Sequence, residues 1–114
     1  MRDNGVVYIP RAFSEQSQFS ADIDAVARKM DPHVLSITPL LGEDWDGESA
    51  VFFQVVIDDK DVSQEELLRI RRSVRWTISM ELQPMERWGV HPYYQYRMTS
   101  SEAARDQEQE QARA

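Results

Sequence analysis

Two helices are predicted from apolar residues that recur every three to four positions along the chain. The first covers about 15–30, and it ends at Asp31 because the proline that follows disfavours the α conformation there. The second begins at Ser63, where the serine oxygen and the Glu66 carboxylate can cap two backbone amides. It continues for about 20 residues to Gln83, again before a proline. The apolar stripes are Phe19, Ile23, Val26, Ala27 and Met30 in the first helix and Leu67, Ile70, Val74, Ile78 and Leu82 in the second.

Three strands are predicted between and after these helices. Val34–Leu40 alternates apolar and polar residues, which indicates a strand with one solvated face. Residues 42–49 are polar and bracketed by glycines, so they predict a loop. Ala50–Ile57 is apolar almost throughout, which is typical of a strand in the middle of a sheet or beneath helices on both faces. The first two strands would form an antiparallel hairpin, and Tyr93–Met98 predicts a weaker third strand.

The order helix, strand, strand, helix, strand predicts an α+β fold. We expect a small, mainly antiparallel sheet with the long helix and the shorter helix packed on one face. Residues 1–98 would form a single domain. Residues 99–114 contain no apolar residue larger than alanine, so they predict a solvated or disordered tail. Val6–Ile9 could be either a short strand or a loosely held terminus.

Composition removes several classes of function. The chain has 114 residues, no cysteine and a net charge of −7. Disulfides, thiolate catalysis and cysteine-based zinc sites are therefore excluded. No apolar run approaches the ~18–20 residues that span a bilayer, so we expect a cytoplasmic protein without a membrane partner. Overall acidity opposes nucleic-acid binding, although a local basic patch could still support it weakly.

The segment 42–66 is strongly acidic, with Lys60 its one basic residue. Clustered carboxylates could hold Mg²⁺ or Ca²⁺, but the spacing does not fit an EF-hand, because Gly42 would fall on the first ligand position. A solvated loop is the favoured interpretation, and no metal or cofactor is predicted. Trp45, between Asp44 and Asp46, either folds back on the core or anchors an interface. We expect it to be an interface residue. The carboxylates are Glu43, Asp44, Asp46, Glu48, Asp58, Asp59, Asp61, Glu65 and Glu66.

An aromatic cluster lies near the end of the chain, within Glu86–Arg97. Tyrosine and tryptophan are enriched in interfaces, but the segment could equally be a strand whose Tyr94 and Tyr96 cap the core. Together with the acidic loop, this cluster defines the predicted partner-binding residues. They are Trp45, Asp44, Asp46, Trp88, Tyr93, Tyr94 and Tyr96.

The long helix carries a run of basic residues, Arg69, Arg71, Arg72 and Arg75. Such a face, with Trp76 beside it, could contact phosphates or RNA bases. Alternatively it is a solvated face paired with neighbouring carboxylates. Because the chain is acidic over 42–66 and basic over 69–75, copies of the chain could also dock on one another.

Catalysis has little support in the sequence. His33 and His91 lie far apart, and no nucleophile elbow, P-loop or dinucleotide-binding motif is present. We therefore expect no enzyme activity and predict no catalytic residue.

Two resemblances add to this picture. Gly42–Ile57 resembles the core of minimal nucleotidyltransferases, in which a Gly-Ser turn precedes a strand carrying a metal-binding Asp-x-Asp. Glu43 stands in place of the serine, and Ala50 and Phe52 stand in place of the aspartates. This resemblance therefore implies a core that has lost its metal site, and it argues against a metal-dependent nucleotidyl transfer enzyme.

The stretch from Asp31 to Arg97 resembles a family of small uncharacterised bacterial proteins. The shared features are Leu41-Gly42-Glu43-Asp44-Trp45-x-Gly47, then Ala50-Val51-Phe52-Phe53, then Pro92-Tyr93-Tyr94-Gln95-Tyr96-Arg97. Members are encoded beside a helical HEPN-type protein, as in toxin–antitoxin pairs. The resemblance implies a non-catalytic interaction module, such as the neutralising half of a two-gene pair. The alternative is an RNA- or nucleotide-binding protein that uses the arginine face.

Overall fold

The computed structural model describes residues 8–101. Helical and extended segments alternate along this range, and a π-helical turn, Ile78–Leu82, joins two of the helices. The elements in chain order are α1 (Arg11–Ser14), α2 (Gln16–Ala27), β1 (Val34–Glu43), β2 (Ser49–Ile57), α3 (Gln64–Thr77), α4 (Pro84–Trp88) and β3 (His91–Met98).

The three strands form one mixed sheet in the order β1-β2-β3. β1 and β2 form the predicted antiparallel hairpin, in which Gly42 pairs with Ala50 and Thr38 with Gln54. β3 lies parallel to β2, with Phe52 beside Tyr93. Since α3, the π turn and α4 separate the two strands, the connection is long enough for a parallel crossover. The predicted α+β class is confirmed, and the antiparallel part of the sheet is the hairpin.

The hydrophobic core lies on one face of this sheet. Alternate residues of β2, from Val51 to Ile57, are completely buried there. Both predicted helical stripes pack into the same cluster, because each places its apolar residues at helical spacing on one side. The residues that meet are Phe19, Ile23 and Val26 from α2, Val51, Phe53, Val55 and Ile57 from β2, and Leu67, Ile70 and Val74 from α3.

The helix ends differ in detail from the sequence prediction. A break at Glu15, with φ −125°, separates α1 from α2, and α2 ends at Ala27. The Ser63 side chain caps α3 by accepting from the Glu66 amide at 3.1 Å. The second half of the predicted cap is wrong, because the Glu66 carboxylate accepts from Arg69 at 3.0 Å instead.

The long helical stretch runs from Gln64 to Leu82 as predicted, but its last turn is π-helical. The Gln83 amide donates to the Ile78 carbonyl at 3.1 Å, and Gln83 itself adopts a left-handed φ of 53° that ends the helix. Pro84 then opens α4. Gly89 ends α4 with φ 72°, and an added Cβ there would lie 2.7 Å from the Tyr8 hydroxyl.

Both ends of the described range carry sequence predictions. Tyr8 and Ile9 belong to no helix or strand, and Val6 and Val7 lie outside the described residues. Residues 99–101 are helical, and the Ser100 hydroxyl donates to the Asp59 carboxylate at 2.6 Å. The rest of the predicted tail, 102–114, lies outside the described residues. No helix within 8–101 has the length and apolar character needed to cross a membrane.

Candidate functional site: the uncovered face of the sheet

The face of the sheet opposite the core remains largely accessible in residues 8–101. Its rows follow from the strand register and alternate with the buried rows. Leu40 is 57% exposed, and Phe52 and Tyr93 beside it are half-buried. In the next row Gln54 donates to Gln95 at 3.0 Å, which ties β2 to β3. We call this surface the uncovered face; its rows are Leu40–Phe52–Tyr93, Thr38–Gln54–Gln95 and Ser36–Val56–Arg97.

Aromatic side chains gather at one end of the uncovered face. The rings of Phe52 and Tyr93 are stacked, with centroids 5.3 Å apart and 21° between their planes. The Trp45 ring lies against Tyr93 at 5.1 Å, tilted by 57°. Trp45 is nevertheless 78% exposed, which confirms the prediction that it is not a core residue. We call Leu40, Trp45, Phe52 and Tyr93 the aromatic patch.

The position of Trp45 is fixed by the carboxylate of its neighbour Asp44. One oxygen of that carboxylate accepts from the backbone amides of Asp46 and Glu48, each at 2.9 Å. The other accepts from the Tyr93 hydroxyl at 2.8 Å. Gly47 supplies the left-handed φ of 80° that closes the turn, a conformation that glycine adopts without steric cost. Asp44 therefore ties the β1–β2 turn, which carries Trp45, to β3.

These hydrogen bonds also set the ionisation of the two groups. The Glu48 amide and then the Tyr93 hydroxyl hold the pKa of the Asp44 carboxyl below its usual range. The same carboxylate raises the pKa of the Tyr93 hydroxyl. At neutral pH Asp44 is thus an anion and Tyr93 a neutral donor, so their bond is charge-assisted.

The surroundings of the aromatic patch are acidic. Glu43, Asp46 and Glu48 belong to the same hairpin end as Asp44. The His91 Nε2 atom lies 3.7 Å from the Glu48 carboxylate. Among residues 8–101 no three histidines or carboxylates converge so as to hold a metal ion. The patch is therefore an apolar surface with a negative rim.

Tyr94 and Tyr96 lie on the opposite side of the sheet from Tyr93. Tyr94 stacks on the buried Phe53 at 5.5 Å, and Tyr96 lies parallel to Tyr94 at 6.4 Å. The Tyr96 hydroxyl donates to the Arg71 carbonyl at 3.3 Å, and burial raises its pKa to about 12. The alternative in which Tyr94 and Tyr96 cap the core therefore fits the structure, and the predicted binding residues Tyr93, Tyr94 and Tyr96 do not share one surface. Because side chains alternate along a strand, β3 divides its tyrosines between the two faces.

The prediction that Trp88 binds a partner also needs correction, since the structure places this residue in the core and not at a surface. It is completely buried in α4, with its ring 4.9 Å from Phe19. The guanidinium of Arg11 covers the ring at 4.0 Å. The short helix α4 exists because Pro84 and Gly89 define its two ends, and it turns the indole inward.

The four predicted arginines do not form one continuous face. Arg71 and Arg75 extend over the rings of Tyr96 and Tyr94, each at 5.2 Å. Arg69 is paired with Glu66, as noted above. Arg72 points outward beside Trp76, which is 67% exposed.

Sequence reasoning did not identify Leu40, Phe52, Gln54 and Gln95 as parts of a surface. The signal was present, because the hairpin register pairs Gly42 with Ala50 and so places Leu40 beside Phe52.

Comparison of the chain with protein-family models, with curated proteins and with solved structures gives no match.

Proposed function

We propose that this chain is a non-catalytic protein-interaction module that binds its partner through the aromatic patch. The observation that carries the proposal is Trp45, which is 78% exposed although the Asp44 turn holds it against Tyr93. A large apolar ring in this state costs solvation free energy but loses little conformational freedom on binding. Both properties are typical of central interface residues.

The shape and charge of the surface favour a protein segment with a basic rim. The patch is apolar at its centre, and carboxylates of the hairpin end surround it. Aromatic centres with polar rims are the usual composition of protein interfaces. A basic partner would be steered towards this surface, whereas a second copy of the acidic chain, with net charge −7, would meet it with like charge.

The alternative, RNA or nucleotide binding through the arginines, is less well supported. Three of the four guanidinium groups already contact a tyrosine ring or a carboxylate of the same helix. Phosphate binding would compete with these contacts and with the overall negative charge. We therefore propose that the partner is a protein and that the chain binds it in the cytoplasm. By the family resemblance, a HEPN-type helical protein from a two-gene pair is the first candidate.

The proposal is tested by affinity capture from the native host with quantitative mass spectrometry. Three baits are compared: wild type, Trp45→Ala and Trp76→Ala. Trp76 is the matched control because it is also an exposed tryptophan but lies on α3. We expect at least one protein to be captured by wild type and Trp76→Ala and lost with Trp45→Ala. If every captured protein is indifferent to Trp45, the aromatic patch is not the binding surface.

A further inference from the structure

A second unpartnered surface lies on the side of α3 that faces away from the sheet. Leu67, Ile70 and Val74 bury the inner side of this helix. On the outer side of α3 and of the π turn that continues it, three large apolar residues are 49%, 67% and 53% exposed, namely Leu68 and Trp76 in α3 and Met80 in the π turn. They follow one another at multiples of four residues, so they form a stripe of roughly 18 Å along the helix. We call these three residues, with Arg72 between them, the α3 stripe.

The α3 stripe is locally basic, in contrast to the rest of the chain. Arg72, Arg75, Trp76 and Ser79 line a depression of about 440 Å³. Within residues 8–101 neither Arg72 nor Arg75 forms an ion pair, whereas the nearby Glu66 and Glu81 are already paired with Arg69 and Lys29. Arg72 also lines a neighbouring depression with Glu65, Glu66 and Arg69, but no carboxylate of residues 8–101 forms an ion pair with it.

These two features together define what would fit the stripe. Leu68 and Met80 offer nothing to a phosphate, but they suit the apolar face of a helix laid along α3. Arg72, the one of the four arginines that contacts neither a tyrosine ring nor a carboxylate among residues 8–101, suits carboxylates on the flanks of that helix. We propose that the α3 stripe docks an acidic, amphipathic helical segment of another protein. Since the aromatic patch lies on the opposite side of the sheet, this site does not depend on the proposed function.

The test uses three synthetic peptides of roughly 16 residues at physiological salt, a length at which an isolated helix becomes sustainable. The first places leucine along one helical face and glutamate elsewhere. The second has the same composition with its leucines scrambled, and the third replaces glutamate by lysine. Binding to the full chain is measured by fluorescence anisotropy, with Trp76→Ala and Arg72→Glu as variants. Leu35→Ala and Met85→Ala, both at exposed positions off the stripe, are controls.

We expect only the first peptide to bind. Its affinity should fall by about tenfold or more in Trp76→Ala and in Arg72→Glu, and should be unchanged in both controls. The proposal is overturned if no peptide binds, or if the scrambled peptide binds equally well. It is also overturned if single-stranded RNA displaces the first peptide and binds more tightly. Concentration-dependent self-association that disappears in Arg72→Glu would make a second copy the occupant instead.

Discussion

The two faces of β2 carry nearly the same kind of residues but differ in how far those residues are buried. Phe53 on the covered face is completely buried in the core cluster to which α2 and α3 contribute. Phe52, the preceding residue, is half-buried on the uncovered face beside Leu40 and Tyr93. An apolar run therefore establishes that a strand is central in its sheet, but not how many of its faces the same chain covers. The face that residues 8–101 leave uncovered is the one to which we propose that a partner binds.

The largest expected effect separates these two phenylalanines. Phe53→Ala should cost about 3–5 kcal/mol of unfolding free energy, because it leaves a cavity in a packed core. Phe52→Ala should cost no more than about 1–2 kcal/mol, since its ring keeps contact with solvent. Denaturant unfolding of both variants measures the difference. Equal losses would mean that something within the chain covers the second face.

The next effect sharpens the same contrast at the binding surface. Trp45→Ala should leave the melting temperature nearly unchanged, while it weakens association with the captured partner by about 2 kcal/mol, or roughly 30-fold. Trp88→Ala should behave in the opposite way and mainly destabilise the fold, because that indole is completely buried. Thermal melting and calorimetric titration distinguish the two. A large loss of stability in Trp45→Ala would make the indole a structural residue of the hairpin.

Most of the fold was predictable, because it rests on local periodicity. The stripes of α2 and α3 and the hairpin around Gly47 are encoded within short windows of sequence. For the β3 tyrosines the sequence left two alternatives open, a binding surface or Tyr94 and Tyr96 capping the core, because the choice depends on the parallel register that pairs Phe52 with Tyr93. Trp88 was misassigned for a related reason. The five residues of α4 are too few to reveal a helical period.

The candidate site was only partly predictable. Trp45, flanked by two carboxylates in a glycine-bracketed turn, was identifiable as an exposed residue. The role of Asp44 was not, since it depends on a hydrogen bond to Tyr93, 49 residues away. Acidic residues in a loop usually indicate solvation, and nothing local distinguishes the one that organises the turn.

Acid titration should identify Asp44 as the residue that holds the turn. A carboxyl whose folded pKa is lowered stabilises the fold fully above its unfolded pKa, about 3.9, and this contribution is lost as pH falls through the folded value. Wild type should therefore lose more stability than Asp44→Asn as the pH falls below about 4. Asp46→Asn is the control, because its backbone amide still donates to Asp44. Parallel curves for wild type and Asp44→Asn would remove Asp44 from the role proposed here.

The smallest effect compares two tyrosines on opposite faces. Tyr96 has a pKa of about 12 because it is partly buried, whereas the pKa of Tyr93 is raised mainly by its hydrogen bond to Asp44. Asp44→Asn should therefore lower the pKa of Tyr93 and leave that of Tyr96 unchanged, as followed by the ring resonances in NMR. Because the folded pKa of Tyr96 exceeds the unfolded value of about 10, its contribution to stability is complete below pH 10 and is lost as pH rises towards 12. Tyr93→Phe assigns the ring resonances of Tyr93. This variant should lose the titration that responds to Asp44→Asn and keep the titration of Tyr96. If Asp44→Asn lowers the pKa of both tyrosines equally, the two faces of the sheet are electrostatically coupled and do not act as separate surfaces.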